Sequence, residues 1–241
     1  MLPSGASKRV CQEVTRLTER NALDRSWGLW LHVPDQADIT KLQLFVVGPD
    51  DSPYEGGLFE FGVVIEDTYP FVPPRVRFRS PNGAPQIHPN LYATGKVCLS
   101  ILGTYAGERW APTMSLETVG MQLRALMMKD SWRCEPGFDT EELTAGGGSS
   151  AWDIMVRYNT FVHFVRPDRP HLDDSFGEAY AKLRGRSVEA CRTGAVAALG
   201  GHVCRVVHSP SVGIVSPMNG VKADMLRVLA ESPKRKRGDS I

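Results

Sequence analysis

The stretch HPNLYATGKVCLSIL, residues His88 to Leu102, lies within the longest part of the chain that lacks a helix or strand pattern. This part runs from about Ser80 to Pro112. An irregular loop of that length in a compact domain is usually either functional or disordered. Its many apolar residues argue against disorder. The sequence therefore predicts an ordered, functional loop, which contains a single cysteine, Cys98.

A helix followed by a sheet is predicted on the N-terminal side of this loop. The helix is expected from Lys8 to Arg20, with its apolar residues on one stripe and Glu13 among the polar positions off it. Alternating apolar runs predict the strands Leu29–Val33, Leu42–Val47, Leu58–Ile65 and Val76–Phe78. Because the connections are too short for parallel crossovers, we expect a four-stranded antiparallel meander.

Further helices are predicted on the C-terminal side of the loop. One should run from Ser115 to Met128 with Ser115 as its N-cap, and another from Ala151 to about Val165. The element order is an N-terminal helix, the meander sheet, the long loop and C-terminal helices. This order is typical of an α+β fold with helices on one face of an antiparallel sheet.

The charge distribution predicts two parts in the chain of 241 residues. Residues 1–165 hold 15 Lys/Arg and 19 Asp/Glu, whereas residues 166–241 hold 13 and 8. The helix-breaking sequence RPDRP at residues 166–170 marks the change. We therefore predict a core domain at 1–165 and a helical, partly flexible, basic C-terminal extension at 166–241. Within the extension, Ser175 and Glu178 fit a capping box ahead of a predicted helix from Tyr180 to Leu199.

Composition excludes several classes of protein. No apolar run approaches the roughly 20 residues that span a bilayer, and the N-terminus lacks the apolar region of a secretory signal. The five cysteines are odd in number and scattered, which favours a reducing compartment over a disulfide framework. They include no paired C-x-x-C, so we expect no metal site. No phosphate-cradling glycine motif is present, and we expect no cofactor.

Four segments of the chain resemble a known family in order and spacing. They are GPDDSPYEGGLFEF, YPFVPPRVRF, IHPNLYATGKVCLSIL and the Trp-Ala-Pro at residues 110–112. Together they resemble the catalytic domain of ubiquitin-conjugating enzymes, over roughly Lys8 to Val165. Within that family, the chain is most similar to the subtype with a lengthened loop between the cysteine and the tryptophan.

The resemblance implies a fold and an activity. The fold is that of ubiquitin-conjugating enzymes, with the long loop as the catalytic loop. The activity is acyl transfer: the enzyme receives ubiquitin from an activating enzyme, which uses ATP upstream, and passes it to substrate lysines with the help of a ligase. The same chemistry with another ubiquitin-like modifier is the first alternative. A non-catalytic module that binds ubiquitin or a ligase is the second.

The resemblance assigns the catalytic residues to the loop and its surroundings. Cys98 would carry the modifier as a thioester, although a free cysteine can also serve as a small buried hydrophobe. Asn90 would donate an amide N–H to the tetrahedral oxyanion, or cap a turn, or do both. Glu135 would lie near the acceptor lysine, although an exposed acid is often only solvated. His88 and Pro89 would support the loop, with a general base as the alternative for His88.

The resemblance also implies partner-binding residues. Phe71, Pro112 and Thr113 would face ligase domains, with the core as the alternative location for Phe71. Lys8 and Arg9 would face the activating enzyme, although a charged helix face is often only solvated.

The basic run at residues 234–237 predicts nuclear import, contact with acidic partners or nucleic acid, or simply solubility. We expect a location in the cytoplasm and the nucleus, no membrane partner and no nucleic-acid function.

Overall fold

The computed structural model describes residues 4–23, 28–134 and 148–165. The elements are α1 (Ser4–Leu23), β1 (Leu29–His32), β2 (Lys41–Val47), β3 (Leu58–Val64), β4 (Arg75–Phe78), α2 (Leu116–Leu126) and α3 (Gly148–Asn159). Short 3₁₀ turns cover Ser100–Leu102 and Ser131–Cys134, and one π-helical turn, Thr160–Phe164, follows α3. The predicted extension at 166–241, with its capping box and basic run, lies outside the described residues. None of the described helices is long and apolar enough to cross a membrane.

The four strands form an antiparallel sheet in the order β1-β2-β3-β4, which confirms the predicted meander. Alternation along the strands directs one set of side chains into the main core. Leu44, Phe61 and Phe78 face this inner side in register across β2, β3 and β4, and all three are buried. The loop from residue 80 to residue 112 is irregular, as predicted, apart from its 3₁₀ turn and two isolated bridges.

Helix α2 crosses the inner face and begins at the predicted cap. Ser115 is its N-cap and exchanges hydrogen bonds with Thr118 in a capping box. Val119 and Leu123 are fully buried against the sheet. Between them, a Cβ at Gly120 would lie 2.8 Å from a methyl carbon of Leu29. Glycine at this position therefore permits the close approach of helix and strand.

The C-terminal side of the core is closed by α3 and its π-helical turn. The ring of Phe164 lies 4.8 Å from that of Phe59 and 5.9 Å from that of Phe78, between ring centroids. The prediction of a helix from Ala151 to Val165 is confirmed, although it begins earlier, at Gly148, and changes to a π-helical turn at Thr160.

The carboxylate of Glu13 connects α1 to the rest of the domain. Glu13 was placed on the polar side of α1, yet it is only 7% exposed. It accepts hydrogen bonds from the Tyr69 hydroxyl at 2.8 and 2.9 Å, from the Leu116 N–H at 2.9 Å, and from Arg9 Nε. The Leu116 N–H belongs to the first turn of α2 and has no partner within that helix. Thus a side chain of one helix caps another, and its charge is compensated by Arg9, whose pKa it raises.

We expect Glu13→Gln to lower the free energy of unfolding by roughly 1.5–3 kcal/mol, the usual range for a lost hydrogen bond to a charged group. The amide cannot accept from all the donors, and it leaves the Arg9 guanidinium without its anion. Urea unfolding followed by circular dichroism would measure the change. Glu19→Gln is the matched control, because Glu19 is exposed on the same helix. Equal stability of the two variants would show that Glu13 does not connect the helices.

Candidate active site

The loop that carries Cys98 is attached to the edge of the sheet. The Phe78 N–H at the end of β4 donates to the Gly95 carbonyl at 2.9 Å, and Arg77 Nη2 donates to the Thr94 carbonyl at 2.9 Å. Leu91 forms an antiparallel bridge with Val97. The loop therefore turns back on itself as a small hairpin, which places Asn90 opposite Cys98.

Asn90 and Cys98 are joined by two reciprocal hydrogen bonds. The Cys98 N–H donates to the Asn90 carbonyl at 2.9 Å, and Asn90 Nδ2–H donates to the Cys98 carbonyl at 2.9 Å. The two residues are 5% and 7% exposed, respectively, and Cys98 is a free cysteine. The asparagine amide thus holds the backbone of the cysteine with one N–H, and its second N–H is not used in this bond.

His88 braces the same turn with both ring nitrogens. The Asn90 N–H donates to His88 Nδ1 at 2.9 Å, so His88 Nε2–H is the donor to the Leu126 carbonyl, also at 2.9 Å. Burial lowers the pKa of His88 to about 4. A neutral imidazole with both nitrogens engaged supports the loop-bracing role and does not fit a general base. Pro89 is buried, and its carbonyl accepts from Gln86 Nε2 at 3.2 Å.

A series of buried hydrogen bonds, which the sequence did not predict, holds Ile87, the residue before His88. The Tyr54 hydroxyl donates to the Ile87 carbonyl at 2.9 Å and accepts from the Ser131 hydroxyl at 2.6 Å. Trp152 Nε1–H donates to the same Ser131 oxygen at 3.0 Å. Burial raises the pKa of the Tyr54 phenol far above its ordinary value, so Tyr54 stays a neutral donor. These hydrogen bonds attach the candidate active-site loop to Trp152 on α3.

The segment after Cys98 closes back on the loop, with Leu99 and Ile101 buried. The Leu99 N–H donates to Thr104 Oγ1 at 2.9 Å, and the Thr104 hydroxyl donates to the Leu99 carbonyl at 3.1 Å. Residues 103–109 are exposed. Within them, the Tyr105 hydroxyl lies 3.5 Å from the Cys134 carbonyl oxygen. The cysteine of the loop therefore lies beside an open rim and next to the 3₁₀ turn that ends at Cys134, whose thiol pKa is raised by burial.

The predicted acid Glu135 lies outside the described residues, directly after Cys134. Another pair of acids is found beside the same 3₁₀ turn. The Asp130 N–H donates to Asp153 Oδ1 at 3.3 Å. Burial raises the pKa of Asp153 to about 6, although the hydrogen bond from the Asp130 N–H lowers it. The charge of Asp130 adds to the rise, and the charges of Arg157 and Lys129 oppose it.

Phe71, Pro112 and Thr113 lie on one exposed surface. Phe71 is 78% exposed, which excludes the alternative location in the core. Trp110 Nε1–H donates to the Pro70 carbonyl at 2.7 Å, which holds the two loops side by side. Pro112 and Thr113 are exposed in the second loop.

Lys8 and Arg9 differ in their availability to a partner. Lys8 is exposed on α1. Arg9 is half-buried, and besides its bond to Glu13 its Nη2 donates to the Met114 carbonyl at 3.2 Å. Sequence periodicity predicted that both cations lie off the apolar stripe of α1. The Arg9 side chain instead forms its bonds within the domain. Among the described residues, no group of three or more His, Cys, Asp and Glu side chains is placed to hold a metal ion.

Comparison with known proteins identifies relatives of this domain. The family model described as "Ubiquitin-conjugating enzyme" matches residues 9–142. Ubiquitin-conjugating enzyme E2 Z of Xenopus tropicalis is 41% identical over 129 residues, covering 53% of this chain and 41% of that protein. A probable ubiquitin-conjugating enzyme protein 17 of Caenorhabditis elegans is 32% identical over 183 residues, covering 73% of this chain and 25% of that protein. The chain thus spans 41% and 25% of the length of these two relatives.

Solved structures share the fold. The H. polymorpha ubiquitin conjugating enzyme Pex4p, crystallised in complex with the soluble domain of Pex22p, aligns with a TM-score of 0.53 at 22% identity, covering 65% of this chain and 97% of that one. The E2 domain of a Toxoplasma gondii ubiquitin conjugating enzyme gives 0.50 at 22% identity, covering 66% and 98%. These likenesses support the α+β fold described above.

We expect Asp153→Asn to stabilise the protein at about pH 8 relative to the wild type, and to do so less at about pH 4.5. The raised pKa means that the folded state binds the Asp153 proton more tightly than the unfolded state. The stability contributed by this group is therefore present at low pH and lost as the pH rises through about 6. Urea unfolding at the two pH values would measure the difference, with the exposed Asp50→Asn as control. The same difference from wild type at both pH values would contradict the expectation.

Proposed function

The chain belongs to the ubiquitin-conjugating enzyme family, and on that premise we propose that it carries ubiquitin as a thioester on Cys98 and transfers it to substrate lysines together with a ligase. The observation that carries the proposal is the reciprocal pair of hydrogen bonds between Asn90 and Cys98. It holds the backbone of Cys98 next to the exposed residues 103–109 and uses one of the two N–H groups of the Asn90 side-chain amide. No cofactor is needed for acyl transfer between thiols and amines, and ATP would be used upstream by the activating enzyme.

The first step is thioester exchange. The Cys98 thiolate attacks the carbonyl carbon of the modifier's C-terminal residue, which arrives as a thioester on the activating enzyme. The new carbon–sulfur bond forms as the bond to the other sulfur breaks, and that thiolate leaves with the electron pair. Only a thiol supports such a reversible exchange at neutral pH, because thiolates are both good nucleophiles and good leaving groups.

The second step is aminolysis. A lysine amine attacks the thioester carbon, and an oxyanion develops on the carbonyl oxygen. The nitrogen gives up one proton to water or to a nearby base, and collapse of the intermediate then expels the Cys98 thiolate and leaves an amide. We propose that the second Nδ2–H of Asn90 donates to the oxyanion, while the first keeps its bond to the Cys98 carbonyl. One such donor contributes about 3–4 kcal/mol to transition-state stabilisation. Glu135 would take part in orienting or deprotonating the lysine.

The exposed surface formed by Phe71, Pro112 and Thr113 would receive the ligase. A bare aromatic side chain next to a proline-containing loop is a suitable anchor for a partner pocket. Lys8, on the exposed side of α1, would contact the activating enzyme, and Arg9 would act mainly by holding α1 to the loop before α2.

Charging of Cys98 can be tested on a non-reducing gel after incubation with activating enzyme, ATP and ubiquitin. We expect a thiol-sensitive adduct in the wild type, none in Cys98→Ala, and a thiol-resistant ester in Cys98→Ser. Cys11→Ser is the matched control, because Cys11 is a free, exposed cysteine far from the loop in sequence. Parallel lanes with other ubiquitin-like modifiers would distinguish the alternative modifier. An adduct that survives in Cys98→Ala would rule out the proposed site, and no adduct with any modifier would favour the non-catalytic module.

We expect Asn90→Ala to slow discharge of the loaded enzyme onto free lysine by about 10²–10³-fold, the range for one oxyanion donor. Charging should be slowed less, because its tetrahedral intermediate has a thiolate leaving group on either side and collapses readily, whereas the amine adduct must persist until its nitrogen loses a proton. Single-turnover discharge would measure the ratio, with thermal unfolding as a check on the fold. Equal loss in charging and discharge would contradict a donor role specific to aminolysis.

A further inference from the structure

The hairpin that carries Cys98 has two faces. Leu91 and Val97 form its central bridge, and both are buried in the main core. Because side chains alternate along a strand, the residues on either side of Val97 point away from that core. These residues are Lys96 and Cys98. Their side chains therefore lie on the same face of the hairpin, about 7 Å apart along the strand.

Tyr92 holds the Lys96 side chain on this face. The Tyr92 N–H donates to the Lys96 carbonyl at 2.9 Å, so the two residues lie opposite each other in the hairpin. The Lys96 ammonium nitrogen lies 5.4 Å from the centroid of the Tyr92 ring, which is a cation–π contact. Lys96 remains exposed, so its positive charge faces solvent next to the candidate active site.

Arg77 adds a second positive charge beside the same turn. Its Nη2 donates to the Thr94 carbonyl at 2.9 Å, and a Cβ at Gly95 would lie 3.3 Å from its Nε. The guanidinium therefore lies over Gly95, the residue before Lys96. Arg77 is also exposed.

Neither of these two charges is neutralised by a carboxylate within the described part of the chain. The exposed Lys41 on the sheet forms an ion pair with Asp38 at 2.9 Å, whereas no ion pair between described residues involves Lys96 or Arg77. Residues 80–107, which include the whole hairpin, contain no Asp or Glu. The surface beside the thiol is therefore positively charged.

We infer that Lys96, together with Arg77, is a specificity-determining residue that favours acceptor lysines with Asp or Glu close to them in the substrate. The inference rests on the proposed thioester transfer. A substrate lysine that attacks a thioester on Cys98 brings its neighbouring residues over this face of the hairpin. In an extended substrate, the residues within two positions of the lysine lie within about 7 Å of it, which matches the separation of Lys96 and Cys98. A carboxylate there would pair with the ammonium, or in bidentate fashion with the guanidinium.

Single-turnover discharge of the loaded enzyme onto peptides with one lysine tests the inference. The first peptide has glutamates within two positions of the lysine, the second has alanines there, and the third has the same glutamates about six positions away. We expect the first peptide to react about three- to fivefold faster than the other two, the size of effect that one exposed ion pair produces. Raising the ionic strength from about 0.05 to about 0.5 M should reduce this preference, because salt shortens the screening length.

Lys96→Glu should reverse the preference, so that a peptide with arginines around its lysine reacts faster than the peptide with glutamates. The ratio of the two rates is taken within each variant, so a general loss of activity cancels. Lys41→Glu is the matched control, because Lys41 is an exposed lysine on the sheet, and it should keep the wild-type ratio. Lys96→Met, which removes the charge without reversing it, should weaken the preference and provides a second test if the glutamate variant does not fold.

Three results would overturn the inference alone. Equal rates for the three peptides, in a wild type that forms the thioester, would leave the proposed function in place without this specificity. An unchanged ratio in folded Lys96→Glu would assign recognition of the acid to another residue. A thiol-resistant conjugate on Lys96 of the wild type would show that this amine accepts the modifier and does not recognise the substrate. Absence of any thioester would instead contradict the proposed function, and the inference with it.

Discussion

The buried carboxylate of Glu13 is the constraint on which the arrangement of this domain depends. It holds the first turn of α2 through the Leu116 N–H, and it holds the loop before Phe71 through the Tyr69 hydroxyl. At the other end of α2, the Leu126 carbonyl accepts the hydrogen bond that positions His88. Helix α2 therefore connects α1 to the candidate active-site loop, so one continuous set of hydrogen bonds relates the loop before Phe71 to the loop that carries Cys98.

Within the loop, backbone groups rather than charges determine the geometry. The Cys98 carbonyl accepts from Asn90, and the Ile87 carbonyl accepts from Tyr54. Each donor is buried and neutral, so its bond is not weakened by competing water or by salt. A cysteine whose backbone is held in this way would keep its position during the acyl transfers proposed above.

The sequence predicted the fold well and the supporting contacts poorly. Strand bounds were predicted to within one residue, because alternation with period two is a local signal. The loop was identified from its lack of periodicity, and its cysteine from the resemblance. Glu13 and Tyr54 could not be found in this way, since their partners Leu116 and Ser131 lie far away in sequence. Helical periodicity grouped Glu13 with the polar residues, because the pattern within one helix does not show that the first turn of α2 lies next to this side chain.

The protonation state of His88 has a further consequence. Its pKa of about 4 and its two engaged nitrogens keep the imidazole uncharged at neutral pH and under mild acidification. A fall of one pH unit from neutrality therefore leaves the charge of this residue unchanged. In this protein, histidine serves as a fixed spacer with one donor and one acceptor, and the residue best known as a physiological pH sensor does not sense pH here.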